Sequence, residues 1–243
     1  MITAIGFPQR AEGLTASDFS EYWLNSHAPL VRSVPEFMRH VQRYVQFHRL
    51  VPAAKSAERF DIDGVGLLDF EDLEALRAAY SEQRYRAEIR RDERNFFDTR
   101  NLVAYYATEH VIYERPSADM AADGLGVTVI GLPRRAAGLT HAEFSDYWLN
   151  RHAPLVLSAP DFLRHVRTYK QYHLTPTQYG ANVGESAHDG VGMVAFDSFD
   201  DMRSAFGEPQ YREILRPDEE RFFDTAALTM LFTQQHVIYC AGK

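Results

Sequence analysis

The strongest constraint on this chain is that it contains one long segment twice. Leu14–His48 recurs as Leu139–His173, and 22 of the 35 aligned positions are identical. After one inserted residue the offset changes from 125 to 126, and Phe96–Thr99 then matches Phe222–Thr225. A fixed period of this length indicates a duplicated structural unit. The predicted arrangement is a first repeat at 1–115, a linker at 116–124 and a second repeat at 125–243.

Each copy is predicted to run strand, helix, strand, strand, helix, strand. Thr15–Asp18 and Thr140–Glu143 resemble capping boxes and predict the start of the first helix in each repeat. Apolar and polar residues alternate along Arg39–His48, which is typical of a strand. This order is the ferredoxin-like βαββαβ arrangement, in which both helices cover one sheet face. Two such modules can close sheet against sheet, so the predicted fold class is α+β, with two fused ferredoxin-like repeats forming an intramolecular barrel.

Composition excludes several classes of partner. A formal net charge of −8 argues against nucleic acid, because phosphate binding needs a basic surface. No stretch approaches the roughly 20 apolar residues of a membrane helix, and Cys240 is the only cysteine, so no intrachain disulfide can form. No nucleotide loop and no metal-ligand spacing is present. We therefore expect a cytoplasmic protein that binds a small-molecule substrate without metal or cofactor. A homodimer of the fused chain is possible.

Histidine supplies the main functional signal. The chain has ten histidines, and eight of them form four pairs between the repeats. Duplication alone preserves some residues, but positions such as Ser26 and Arg151 have diverged, so retention of all four pairs indicates constraint. The pairs are His27/His152, His40/His165, His48/His173 and His110/His236.

His27 and His152 are the predicted catalytic residues. Each lies at helical spacing on an apolar stripe, one turn after a tryptophan. These tryptophans, Trp23 and Trp148, are typical of a core and could also line a substrate pocket. A packed imidazole bonded to a backbone carbonyl would explain the position equally well. As a general acid or base, imidazole would suit a pocket between helix and sheet, because it titrates near neutral pH. Pro29 is expected to distort the helix just after His27.

One face of the second strand carries polar residues that recur unchanged. The face is either solvated or, in a closed barrel, the lining of a polar cavity. Gln42 becomes Arg167 on that face, and an arginine there could hold a carboxylate or phenolate. His110 and His236 are read as edge-strand residues, and Asp98 and Asp224 as turn or helix caps. The predicted substrate-binding residues are His40, Tyr44, His48, His165, Arg167, Tyr169 and His173, with Trp23 and Trp148.

The block Phe19-x-x-Tyr22-Trp23-x-x-x-His27-x-Pro29-Leu30-Val31, with its second copy, resembles the EthD family of dimeric α+β barrel proteins. The resemblance implies ferredoxin-like modules paired into a barrel, here fused in one chain. It also implies a role in xenobiotic catabolism or polyketide biosynthesis. Only His27 and His152 carry over from the family pattern. Related barrels include cofactor-free monooxygenases, muconolactone isomerases and haem-binding enzymes.

The leading functional hypothesis is a cofactor-independent lyase or isomerase acting on an aromatic or polyketide-like molecule. Histidine acid–base groups suit elimination, decarboxylation or isomerisation, with Tyr and Arg stabilising an enolate. The alternatives are a cofactor-free monooxygenase, a haem-binding protein with His27 or His152 as axial ligand, and a non-catalytic carrier of small molecules. Leu50–Ile62 and Leu174–His188 differ most between the repeats and are predicted to be lids over the pocket.

Overall fold

The structure is a computed structural model that describes residues 1–50, 62–100, 102–116, 126–176 and 187–242. Residues 117–124 of the predicted linker and most of both predicted lids lie outside this part of the chain. The molecule divides into two compact units, and the division falls within the last strand of each repeat. The first unit is Met1–Ala107 with Gln235–Lys243, and the second is Thr108–Gln234.

The first repeat follows the predicted order of strands and helices. Its first helix begins where the capping box predicts, because the Thr15 hydroxyl accepts from the Asp18 amide and the Asp18 carboxylate accepts from the Thr15 amide. The last strand is longer than predicted and begins at Val103 instead of near His110. The elements are β1 (Ile2–Phe7), α1 (Ala16–Tyr22), a π turn (Trp23–His27), α2 (Ala28–Arg32), α3 (Pro35–Met38), β2 (Val41–Arg49), β3 (Gly64–Phe70), α4 (Leu73–Ser81), a second π turn (Tyr85–Ile89), α5 (Arg90–Glu93) and β4 (Val103–Glu114).

The second repeat has the same elements in the same order. Thr140 and Glu143 form the second capping box, as predicted. The elements are β5 (Val127–Leu132), α6 (His141–Tyr147), a π turn (Trp148–His152), α7 (Ala153–Leu157), α8 (Pro160–Leu163), β6 (Val166–Leu174), β7 (Gly190–Phe196), α9 (Phe199–Gly207), a π turn (Tyr211–Leu215), α10 (Arg216–Glu219) and β8 (Thr229–Cys240).

The strands pair antiparallel within each repeat. In the first repeat, β3 lies between β1 and β2, and β1 also pairs with β4. In the second repeat, β7 lies between β5 and β6, and β5 also pairs with β8. The strand order over the chain is closed, β1-β3-β2-β8-β5-β7-β6-β4. The predicted class, an α+β fold of two fused ferredoxin-like repeats that form a barrel, is confirmed, and the closed barrel has eight strands. Among the described residues, no helix is long and apolar enough to span a membrane.

The core of the first unit lies between its helices and its sheet. A buried cluster joins Val31, Phe37 and Leu76 on the helices to Tyr44 and Phe70 on the strands. A matching cluster in the second unit is built from the equivalent positions, including Phe162 and Phe196 in place of Phe37 and Phe70. The helix face of each sheet is therefore covered within its own unit.

The second strand does not alternate as strictly as its sequence suggests. A β-bulge lies between Val41 and Arg43, so that Gln42 has no partner on β3. The extra residue shifts the alternation, and Val41 and Tyr44 therefore lie on the same buried side. β6 has the same irregularity between Val166 and Thr168. The prediction that Gln42 and Arg167 share a face with Tyr44 and Tyr169 is wrong for this reason.

Candidate active site

A cavity lies between the helices and the sheet of each unit. The cavity in the first unit has a volume of about 380 Å³ and the cavity in the second about 440 Å³. Both have mostly apolar walls with a small number of polar groups, which is the usual character of a small-molecule site. The residues with a hydrogen-bonding side chain that line the first are Trp23, His27, Tyr44, Tyr80, Tyr85, Arg90, Glu93 and Tyr106. Those that line the second are Trp148, His152, Tyr169, Tyr211, Arg216 and Glu219.

A π turn brings the predicted catalytic histidine of the first repeat to its cavity. The amide of Ala28 donates to the carbonyl of Trp23, five residues earlier. Pro29 has no amide for the carbonyl four residues before it, so the helix cannot keep its regular bonding here. The distortion expected here is one wide turn, after which the helix continues. The turn leaves Trp23 and His27 both buried, with exposed fractions of 4% and 5%.

A strand glutamine holds this turn in place. Gln46, which is fully buried, donates from Nε2 to the Trp23 carbonyl at 3.1 Å and to the Tyr44 hydroxyl at 2.7 Å. Its Oε1 then accepts from His48 Nε2 at 2.9 Å, and His48 Nδ1 accepts from the Ser20 hydroxyl at 2.5 Å. Both nitrogens of His48 are therefore used inside the protein.

The second repeat reproduces this arrangement. Gln171 donates to the Trp148 carbonyl at 3.1 Å, and His173 bonds Gln171 and Ser145. Burial lowers the pKa of His48 and of His173 to about 3. His236 adds to the effect at His48, and His110 and His141 add to it at His173. These histidines were predicted to bind substrate, but they lie behind the cavity walls as neutral hydrogen-bonding groups.

His27 belongs to a Tyr–Asp–His arrangement. Its Nδ1 lies 2.8 Å from Asp92 Oδ2, and the Tyr22 hydroxyl donates to Asp92 Oδ1 at 2.6 Å. A carboxylate only accepts, so the proton is on Nδ1 and the lone pair of the neutral ring is on Nε2. The hydrogen bond from His27 is the largest cause of the lowered pKa of Asp92, which stays charged. Asp98, predicted to be a turn or helix cap, accepts hydrogen bonds from the backbone and side chain of Arg100.

His152 has the equivalent partners in the second repeat. Its Nδ1 lies 2.9 Å from Asp218 Oδ2, and the Tyr147 hydroxyl donates to Asp218 Oδ1 at 2.7 Å. Burial lowers the pKa of His152 more than the carboxylate raises it. The ring is therefore neutral at pH 7 and able to accept a proton.

A buried glutamate lies at each cavity, and the sequence reasoning missed it. Glu93 pairs with Arg90 Nη1 at 2.7 Å, and Glu219 pairs with Arg216 Nη1 at 3.0 Å. Burial raises the pKa of Glu93, and it raises the pKa of Glu219 to about 7. A carboxyl group that titrates near neutral pH can act as an acid or a base. The available signal was the Asp-Glu pair at positions 92–93, which recurs at 218–219 with an arginine three residues before the glutamate.

His40, His165 and Arg167 lie outside the groups that line the cavities. His40 bonds Glu82 at 3.0 Å, and His165 bonds Glu208 at 3.0 Å. Arg167 forms an ion pair with Asp197 at 2.6 Å. The bulge in each second strand explains these positions, because it places Val41 and Val166, and not the residues on either side of them, on the face that carries Tyr44 and Tyr169.

The tryptophans form a wall of each cavity and lie directly on a strand glycine. A Cβ atom at Gly64 would lie 2.6 Å from the Trp23 ring, and one at Gly190 would lie 2.5 Å from the Trp148 ring. Only glycine allows this approach. The recurring Asp-Gly-Val-Gly segment is therefore the platform on which the indole rests. Within the part of the chain that the structure describes, no group of three or more His, Cys, Asp or Glu side chains could hold a metal ion.

The chain belongs to the EthD family. The EthD domain matches it twice, at residues 11–100 and 136–226, which confirms the resemblance seen in the Tyr-Trp…His-x-Pro-Leu block. No curated protein matches the chain in sequence.

Solved structures share its fold at low sequence identity. An anthrone oxidase-like protein has a TM-score of 0.61 at 9% identity, over 100% of this chain and 96% of its own. A proposed monooxygenase from Fusobacterium nucleatum has a TM-score of 0.59 at 8% identity, over 98% and 92%. A variant of chlorite dismutase from Candidatus Nitrospira defluvii has a TM-score of 0.50 at 12% identity, over 98% and 91%. At these identities the likeness concerns the fold alone.

Proposed function

We propose that this chain is an enzyme that transfers protons on a small aromatic or polyketide-like molecule, without a cofactor, in an elimination, decarboxylation or isomerisation. The observation that carries the proposal is the pairing of two titratable groups at one apolar cavity, repeated in both units. In the first unit these groups are His27, held at Nδ1 by a carboxylate, and the buried Glu93. Both groups line the same cavity.

The histidine is suited to the role of base. Nε2 carries the lone pair, and Asp92 fixes the tautomer and stabilises the imidazolium that forms when Nε2 takes a proton from an acidic carbon. Phe96 packs on the imidazole, with the ring centroids 4.8 Å apart, and shields one side of that ring from water.

The glutamate is suited to the role of acid. Burial raises the pKa of Glu93, and it raises that of Glu219 to about 7, so at neutral pH part of the Glu219 population carries a proton that can be given to a developing enolate oxygen or to a leaving group. Arg90 and Tyr85 lie beside it, the first at 2.7 Å and the second at 3.4 Å, and both can stabilise negative charge. A base and an acid on one cavity together form the minimal set for enolisation.

The test is deuterium exchange at the acidic carbon of 2-tetralone, a bicyclic aromatic ketone, followed by NMR. We expect wild-type protein to accelerate exchange, and the pair His27→Ala and His152→Ala to lower the catalysed rate by about 10²–10⁴. Glu93→Gln with Glu219→Gln should act in the same direction.

The matched control is His40→Ala with His165→Ala, which removes another repeated histidine pair that lies outside the cavities. It should leave the exchange rate unchanged. Folded His27 and His152 variants with the wild-type rate would contradict the proposal, as would wild-type protein that does not catalyse exchange at all.

A cofactor-free monooxygenase is the second candidate, because the same base would form the enolate or phenolate that reacts with oxygen. An oxygen electrode distinguishes the two reactions. Stoichiometric oxygen uptake during turnover supports the oxygenase, and turnover under nitrogen supports the lyase or isomerase.

A further inference from the structure

The two cavities differ at two aromatic positions. Tyr80 and Tyr106 line the first cavity, and Phe206 and Phe232 line the second at the equivalent positions. Both sets of histidine, glutamate, arginine and tryptophan are retained. Among the polar side chains that line them, the cavities therefore differ by two phenol hydroxyls on otherwise similar rings.

Packing does not require the hydroxyl of Tyr80. Tyr80 contacts Tyr85 edge-on at 5.0 Å and 76°, and Phe206 contacts Tyr211 edge-on at 4.9 Å and 74°. The ring therefore occupies the same place with or without its oxygen. Because phenylalanine packs equally well at this position, the presence of tyrosine is explained by a group to which its hydroxyl binds.

No hydrogen bond within the described residues occupies the hydroxyl of Tyr80 or Tyr106. This is unlike Tyr44 at the same cavity, whose hydroxyl accepts from Gln46. Burial raises the pKa of Tyr80, so its phenol keeps its proton and can donate. Both side chains are half-buried and line the cavity, and neither hydroxyl is among the buried polar atoms left without a partner, so both can donate to a ligand oxygen there.

We propose that the first cavity binds a ring compound carrying hydroxyl or carbonyl oxygens that meet Tyr80 and Tyr106, whereas the second cavity binds a less oxygenated ring compound of similar size. The similar size follows from the two volumes, about 380 and 440 Å³. Met230 in place of Ala104 makes the second cavity still more apolar. The inference rests on the proposed function for the general class of ligand and adds what separates the two sites.

The chain has two tryptophans, one at each cavity, and they report the two sites separately. Full-length protein labelled with 5-fluorotryptophan should give two ¹⁹F resonances, assigned with Trp23→Phe and Trp148→Phe. The probes are 1,3-dihydroxynaphthalene and 1,3-dimethylnaphthalene, which have the same shape and differ in two oxygens. Two hydrogen bonds change affinity by roughly tenfold. We therefore expect the diol to shift the Trp23 resonance at about tenfold lower concentration than the Trp148 resonance, and the dimethyl compound to show no such preference.

Exchanged aromatic residues supply the matched variants. Tyr80→Phe with Tyr106→Phe should abolish the preference of the diol for the first cavity, and Phe206→Tyr with Phe232→Tyr should strengthen its binding at the second. A preference that survives the first pair of substitutions overturns the proposal. So does equal binding of the diol at both sites, or no response of either resonance to either probe.

These outcomes are separable from the proposed function, because the titration measures binding alone. If the His27 and His152 variants keep full exchange activity while the diol still prefers the first cavity, the proton-transfer mechanism fails and the difference between the cavities stands. If exchange depends on the histidines but the diol shows no preference, the reverse holds.

Discussion

Acid should destabilise this protein through His48 and His173, which are buried as neutral rings. Burial lowers the pKa of each to about 3, against about 6.5 in an unfolded chain. Between pH 7 and pH 5 the unfolded imidazole binds a proton and the folded one does not, so stability falls as the pH falls. For these pKa values the loss is about 2 kcal/mol per ring, or about 4 kcal/mol for both.

Glu219 acts in the opposite direction and must be separated from the histidines. Its pKa is raised to about 7 by burial, so the folded state binds the proton first and gains about 2 kcal/mol over the same pH interval. The total pH dependence of the wild-type protein therefore underestimates the effect of the rings. The informative quantity is the difference in pH dependence between the wild-type protein and His48→Asn with His173→Asn, which retains Glu219.

The assay is the thermal unfolding midpoint by circular dichroism at pH 7 and pH 5. The double variant should be less stable at pH 7, because its bonds to Ser20 and Gln46 and to their counterparts are weakened. Its midpoint should nevertheless fall less on acidification than that of wild type, by about 8–16 °C for about 4 kcal/mol in a chain of this size. Equal falls in both proteins would refute the claim that these rings stay neutral in the folded state.

Two further substitutions test the local architecture. Gly64→Ala should lower the free energy of unfolding by about 1–3 kcal/mol, because its Cβ would lie 2.6 Å from the indole ring. Gly66→Ala, whose Cβ would lie at 3.3 Å, should be milder. Urea unfolding compares the two variants, and equal losses would contradict the close approach. Asp92→Asn is made in a His152→Ala background, so that the second cavity does not contribute to exchange. It should lower the rate of 2-tetralone exchange about a hundredfold or more without unfolding the chain. An unchanged rate would exclude a role for the carboxylate.

Much of the fold could be predicted because its signals are local. The capping boxes at Thr15 and Thr140 begin helices where the side chains require it, and the repeat imposes one element order on both halves. The start of β4 at Val103 was missed because Val-Ala-Tyr-Tyr-Ala does not alternate, and its strand state depends on pairing with β1.

The site could be predicted only in part, since it depends on departures from regular geometry. Helical spacing placed His27 on the inward face, but its partner Asp92 lies 65 residues away and is brought near only by packing. Glu93 follows a π turn that changes the direction of the residues after it, and a charged residue near a helix end is ordinarily solvated. The bulge at Gln42 ended the alternation on which the other strand-two assignments rested.

Carrying both cavities on one polypeptide has a consequence for how the two can diverge. When one gene encodes a site that is then used twice, every substitution appears at both places and neither can change alone. Here a codon alters one cavity and leaves the other as it was, so tyrosine persists at position 80 while phenylalanine stands at position 206. Because the two sites are encoded by separate codons of one gene, each can be altered by mutation, and be selected, while the other stays unchanged.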